Sequence, residues 1–338
     1  MSSSHKIVVI GGGSGSTTIL RSLLPLKHKS LTVITTATDS GGRSGWVRTD
    51  ERDHVISIGD LFNNLTALIA PDQLPLPHIQ AFISLTNFTD GRRRNLGYTI
   101  YYGLLEKYQG NHQKTQSHIA QLLNINFQGQ VVPVTTQVTS LCFETKLGNQ
   151  YTGEAMLDYY QMSQDMVKKI WISPQVPANP DAIHAIKQAN HIIFAPGSLY
   201  GSLLVNILPT GIQSALKKSA ASKIILTNLV SDRNQTHHFT PLKYWQAFRK
   251  YTKHPKPFDI MIAPNIDTTS FNQQHPQIAQ AYQAEHSHFL GWSDDQFQKI
   301  RDHNVTVITT DIATITHDLN RIRHDPKKLS SLWSKLIL

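Results

Sequence analysis

KIVVIGGGSGSTTILRSLL, residues 6–24, reads as strand, glycine turn and helix. Ile7, Val8, Val9 and Ile10 form an all-apolar run, the pattern of a strand buried on both faces of a parallel sheet. Gly11, Gly12, Gly13 and Gly15 let the backbone turn tightly and approach another group closely. Ser16, Thr17 and Thr18 can cap a helix that runs through Ile19, Leu20, Leu23 and Leu24, and Pro25 stops it. The unpaired N–H groups and the dipole at that helix start make an anion site suited to phosphate. The stretch fits the start of a dinucleotide fingerprint at Gly11-x-Gly13, but Ser16 holds the third glycine position. No GxxxxGK[ST] occurs, so it is not the phosphate loop of ATPases. The competing account is a tight turn without a ligand.

Outward from that unit, the βα rhythm continues. Leu31–Thr36 predicts a second strand, delivering the glycine-rich loop Ala37–Gly45 with Asp39 at its mouth. Asp39 follows Gly15 by 24 residues, near where an acid at the end of the second strand can bind a ribose hydroxyl. It could equally hold a hydrated Mg²⁺ beside a phosphate, or simply form a turn. Asp60 stands at the predicted N-cap of a helix over Leu61–Ala70 and could share a cation with Asp39; Asn63, one turn on, is a candidate polar contact. Pro71, Pro75 and Pro77 predict a linker or lid, and Leu96–Tyr108 a helix whose tyrosines belong to the core. Strands at Val131–Thr135, Val138–Thr145 and Ile170–Ser173, with a return over Gln150–Met156, predict a β-rich insertion at 125–178.

A second strand–turn–helix unit follows. His191–Ala195 is a strand and Pro196–Ser202 a turn, with a helix expected over Leu203–Leu208; Gly197 and Ser198 make it a second candidate anion site. Ser198 lacks the GxSxG setting of a hydrolase nucleophile. Further strands are predicted at Lys223–Asn228, Phe258–Ala263 and Val305–Thr309, and helices at Pro241–Lys250, Pro276–Ala284, Asp294–Arg301 and Lys327–Leu336. The expectation is one α/β domain over 1–338, with a Rossmann-like, doubly wound, mostly parallel sheet and the small β-rich insertion.

Composition narrows the class. In 338 residues, 40% hydrophobic and 16% charged content is that of a folded globular chain. One cysteine, Cys142, allows no internal disulfide and fits a cytoplasmic protein. The first strand begins at residue 6, which predicts no leader, and no apolar run reaches the ~20 residues of a membrane helix. The net charge of +9 suits phosphorylated partners, but basic residues are scattered apart from Arg92–Arg94, so no clear nucleic-acid site emerges. The pairs His237-His238 and His286-x-His288 read as surface rather than zinc.

Five motifs carry a family resemblance: VVIGGGSGS (Val8–Ser16), ATDSGGRSG (Ala37–Gly45), IGDLFNNL (Ile58–Leu65), APGSLYGSL (Ala195–Leu203) and RHDPKKL (Arg323–Leu329). The chain resembles the CofD-like family, which unites 2-phospho-L-lactate transferases with bacterial gluconeogenesis factors of the YvcK-like type. The tail motif resembles the second branch. The resemblance implies a nucleotide-containing ligand on the glycine turns. In the gluconeogenesis-factor branch it implies UDP-sugar binding and a role in cell shape on gluconeogenic carbon; in the transferase branch it implies Mg²⁺. Carried over by position, the implied ligand residues are Gly12, Gly13, Ser14, Gly15, Asp39, Gly41, Gly42, Ser44, Asp60, Asn63, Gly197, Ser198 and Tyr200. Asn228, at a strand end, and Arg323, in the tail, complete the candidate set.

Departures from the family pattern bear on chemistry. The family loop carries two successive acids, and here the second is Ser40; Phe62 stands where an arginine is usual. A helix start that resembles GH-x-x-GN is degraded over Gly91–Tyr98. A site with one acid fewer holds Mg²⁺ less well, so the first expectation is a binding regulator without turnover. The alternative is a phospho-group transferase with Asp39 and Asp60 on Mg²⁺. An NAD-dependent oxidoreductase would rest on the glycine turn alone, with no acid/base pair beside it. A homo-oligomer is compatible with all three.

Overall fold

The computed structural model describes residues 5–27, 29–40, 55–91, 95–158, 165–316 and 320–337. Gly41, Gly42, Ser44 and the run Arg92–Arg94 lie outside them.

In chain order, β1 (His5–Ile10), α1 (Gly13–Leu23) and β2 (Lys29–Thr35) form the first unit. Four helices follow: α2 (Gly59–Ala67), α3 (Pro77–Asn87), α4 (Leu96–Lys107) and α5 (His112–Leu123). Then come β3 (Gln130–Pro133), β4 (Ser140–Thr145), β5 (Gln150–Thr152), a 3-10 turn over Glu154–Asp158, and β6 (Val167–Ser173). The second half runs α6 (Pro180–Gln188), β7 (His191–Phe194), α7 (Ile212–Lys218), β8 (Ser222–Leu226), α8 (Pro241–Thr252) and β9 (Ile260–Pro264). It closes with α9 (Thr268–Gln274), α10 (Pro276–Ala284), α11 (Asp294–Arg301), β10 (Thr306–Thr310), β11 (Ala313–Thr316), β12 (Arg321–His324) and α12 (Pro326–Leu336).

Seven strands make one parallel sheet in the order β10-β9-β8-β7-β1-β2-β3, flanked by helices. Ile7 to Ile10 are all buried, as a strand covered on both faces requires. Strand order reverses between β1 and β7. In such sheets the crevice outside the carboxyl ends at that reversal takes the ligand. Ile10 lies opposite Phe194, and the Ala195 N–H donates to the Ile10 carbonyl at 3.0 Å, so both strands end at one level. Both glycine turns therefore leave the sheet side by side.

The insertion is a three-stranded antiparallel sheet, β5-β4-β6. β3, within the expected insertion range, pairs parallel with β2 in the main sheet instead. Pro77 opens α3 at its first turn, where its missing N–H costs nothing, so the Pro71–Pro77 segment leads into a helix. The helix expected at Leu203–Leu208 is a single π-turn, Leu199–Leu203, followed by a 3-10 turn, Leu204–Ile207. The tail segment Arg321–His324 is the return strand of an antiparallel hairpin with β11. α12 then packs its Trp333 against α1, where the indole N–H donates to Ser22 Oγ at 2.8 Å. Among the described residues, no helix is long and apolar enough to cross a membrane.

Candidate functional site

The start of α1 fixes the centre of the site. Gly13 takes φ of +60°, a left-handed conformation that glycine adopts without strain. A Cβ on Gly15 would overlap the Pro196 carbonyl oxygen, so only glycine lets the two turns touch. Asp60 was expected to cap its own helix. That helix opens at Gly59 instead, and Asp60 caps α1: the Gly13 N–H donates to Asp60 Oδ1 at 2.8 Å. One first-turn donor is thus already taken, which leaves Ser14 and Gly15 as the residues that present the helix start to the cavity.

The cavity beside them measures about 630 Å³. Ser14, Gly15 and Thr18 line it from the first turn, and Pro196, Gly197 and Ser198 from the second. Asn228, Ser231, Asp232 and Gln235 come from the loop after β8, and Arg323 and His324 from β12. The two turns and the tail arginine therefore share one cavity at the strand ends. The Arg323 guanidinium donates only to its neighbour's Ile322 carbonyl, at 3.1 Å, and has no carboxylate partner among the described residues. Glu285, also in the wall, is engaged by Arg321. His324 is half-buried, with its Nε2 against the Thr227 carbonyl at 3.0 Å, and desolvation of the ring pushes its pKa down to about 4.

Three candidates make contacts that the sequence does not show. Asn228 bonds both groups of Gly197: it accepts the Gly197 N–H at 2.8 Å and donates to the Gly197 carbonyl at 3.0 Å. It holds the second turn in shape. Tyr200 is buried, and it contributes its backbone N–H, which donates to Gln235 Oε1 at 3.1 Å. Asn63 lines a separate cavity of about 550 Å³ on the other flank of α1, with Gly13, Thr17 and Arg21; only Ser14 lines both.

Beneath the turns lies a group of carboxylates. Asp60 is pushed up to about pKa 7 by burial and by the neighbouring Asp39 charge, against the opposing pull of the Gly13 N–H. Glu154, from the insertion, is raised by burial first and then by the charges of Asp39, Asp158 and Asp60, and it shares a hydrogen bond with Asp39. A Cβ on Gly201 would crowd both Glu154 and Ser198 Oγ, so Glu154 sits directly against the second turn. None of Asp39, Asp60 and Glu154 lines the main cavity. Glu154 escaped the sequence reading because nothing local marks a lone acid on a short 3-10 turn.

The two departures serve packing. The Ser40 hydroxyl accepts the Ala155 N–H at 3.1 Å, tying the β2 loop to the insertion. Phe62 is buried among Phe82, Tyr98 and Tyr101, with ring centroids 6.1 to 6.4 Å apart. Members of the two histidine pairs meet: the ring centroids of His237, His238 and His288 lie within 5.9 Å of one another. His288 Nδ1 also meets Ser231 Oγ at 2.9 Å, which clasps one wall of the cavity.

A model of the family described as 2-phospho-L-lactate transferase CofD matches residues 7–313. The chain belongs to the CofD family. Within it, this CofD-family chain is similar to a Bacillus subtilis protein named gluconeogenesis factor, at 28% identity over 100% of this chain and 99% of the other. A Listeria monocytogenes protein of the same name is 31% identical over 73% of each chain. A crystal structure of a Bacillus halodurans protein shares the CofD-family fold with a TM-score of 0.82 and 25% identity, covering 97% of this chain and 99% of that one. The resemblance to the gluconeogenesis-factor side of the family is thus matched by the Bacillus subtilis relative over nearly the full length.

Proposed function

We propose that this CofD-family chain is a gluconeogenesis factor: a cytoplasmic regulator that binds a nucleotide sugar of the UDP-sugar type and links carbon supply to cell shape, without turning its ligand over. One observation carries the proposal. Two glycine turns and an arginine with no acidic partner among the described residues converge on a single cavity at the reversal point of a parallel sheet. Helix-start N–H groups and a planar guanidinium together suit a diphosphate. Absence of turnover is supported by Ser40 and Phe62, both of which serve packing where the transferase pattern places charge.

The carboxylates beneath the turns keep the transferase alternative in view. Mg²⁺ is held by one or two carboxylates together with substrate phosphate and water. Asp39 and Asp60 fit that role as a pair, with Glu154 beside them, since a cation would relieve their mutual repulsion. Bound there, Mg²⁺ would neutralise charge developing on a transferred phospho-group. Calorimetric titration with UDP-glucose, in chelator and in Mg²⁺, separates the two. Affinities within about tenfold of each other, with no product on incubation, support the regulator; a larger loss in chelator, or product formed from an added acceptor alcohol, returns the transferase to first place.

A further inference from the structure

Next to the second glycine turn, the wall of the main cavity carries residues of opposite chemical character that the family motifs do not include. Gln235 is only 2% exposed, yet it lines the cavity. Its side-chain oxygen accepts the Ser198 hydroxyl at 2.8 Å and the Tyr200 N–H at 3.1 Å. A backbone N–H can only donate, so the atom it meets must be Oε1. A flipped amide would turn Nε2 toward the Tyr200 N–H, donor against donor, so the orientation is fixed, and among the described residues Nε2 has no protein partner, a donor at the cavity wall. Buried polar groups are normally paired, so a fixed, unpaired donor in a cavity points to a ligand acceptor.

Two carboxylates stand with it. Asp232 uses Oδ1 to accept the N–H groups of Asn234 at 2.8 Å and Gln235 at 2.9 Å, and among the described residues Oδ2 has no protein partner. Asp158 lines the same cavity from the insertion. The Asn234 side chain donates to the Leu157 carbonyl at 2.7 Å, so the two acids are tied together through their neighbours. Both are raised by burial; the Asp232 charge raises Asp158 further, and Arg233 offsets part of the effect on each. Such a pair gains from hydroxyl donors and is repelled by further negative charge.

We propose that Asp158 and Asp232 accept the hydroxyls of the ligand's sugar, with Gln235 Nε2 donating to an oxygen between sugar and phosphate. The inference rests on the nucleotide-sugar reading and deepens it. Beside apolar Leu229, Val230 and Ile322, the cavity carries anion donors at Ser14, Gly15 and Arg323 and hydroxyl acceptors at Asp158 and Asp232. It therefore selects a neutral sugar over one that carries a carboxylate.

The test compares UDP-glucose with UDP-glucuronate, which differ by one carboxylate on the same nucleotide. By calorimetry in chelator, the wild-type chain should bind UDP-glucuronate at least about tenfold more weakly, because like charges face each other across the cavity. Asp232→Asn and Asp158→Asn should each narrow that preference to within about threefold by improving uronate binding, a gain that structural damage cannot produce. Equal affinities in the wild type, or a preference unchanged in both variants, would overturn the assignment while leaving the nucleotide-sugar reading intact. A preference that reverses when Mg²⁺ is added would assign the acid pair to a cation instead and equally overturn it. Failure of both ligands to bind would remove the reading and the inference together.

Discussion

The Gly13 N–H donates to Asp60 Oδ1 at 2.8 Å, joining the first turn of α1 to the first turn of α2 across 47 residues of chain. The bond places a buried carboxylate against a helix N-terminus, where the dipole favours negative charge. Burial and Asp39 nevertheless win, and Asp60 titrates near 7.

That balance sets a pH dependence. A carboxyl whose folded pKa is raised binds more protons folded than unfolded, so stability falls as pH climbs from about 4 to about 7. Above that window the full cost of the buried charge is present. Asp60→Asn keeps an oxygen for the Gly13 N–H and removes the titration. Urea unfolding should show a flatter pH profile and, at pH 8, a variant more stable than wild type by on the order of 1–3 kcal/mol. An unchanged slope would mean that Asp60 is not the group responsible.

Gly15→Ala tests the contact between the turns. The new Cβ overlaps the backbone Pro196 carbonyl, which cannot swing aside as a flexible side chain would. The expected cost is about 1–3 kcal/mol, the usual range for overpacking, together with loss of the melting-temperature rise produced by UDP-glucose. Gly13→Ala is the contrasting variant. Its Cβ meets open space and only the φ of +60° is strained, so about 1–2 kcal/mol should be lost by strain alone.

Arg323→Ala should weaken UDP-glucose binding by roughly 1.5–3 kcal/mol, the worth of a hydrogen bond to a charged group. Arg323→Lys should recover only part, because a point charge does not grip two phosphate oxygens as a planar fork does. Equal titrations for all three proteins would place Arg323 outside the site.

Trp333→Ala should destabilise the chain by about 3–5 kcal/mol, as for other buried aromatics reduced to alanine. The indole is fully buried and bonded to Ser22 on α1, so the loss falls on the helix that carries the first turn. Denaturant unfolding measures the cost, and a change below about 1 kcal/mol would show that α12 does not brace α1.

Elements whose signals are local are legible from residue type alone. An apolar run of four before four glycines specifies β1 and the turn into α1, because burial on both faces and left-handed backbone each leave a mark on residue type. Pro276 and Asp294 marked helix starts in the same way, through a fixed φ and a favourable charge at the dipole. A mostly parallel sheet followed from the alternation of such units, whereas β3, read as part of the insertion, joins that sheet only through its pairing with β2. Which candidates meet depends on the packing of remote segments. Asp60 bonds a different helix, Asn63 turns to a second cavity, Asn228 shapes Gly197 while lining the main cavity, and Glu154, Asp158 and Gln235 arrive from distant segments. The π-turn at Leu199–Leu203 was likewise invisible, since its apolar residues suit a helix and the close fit of Glu154 against Gly201 is made by the insertion. A side chain's partners depend on where remote strands end. Residue type limits what a group can bond, and packing chooses the partner.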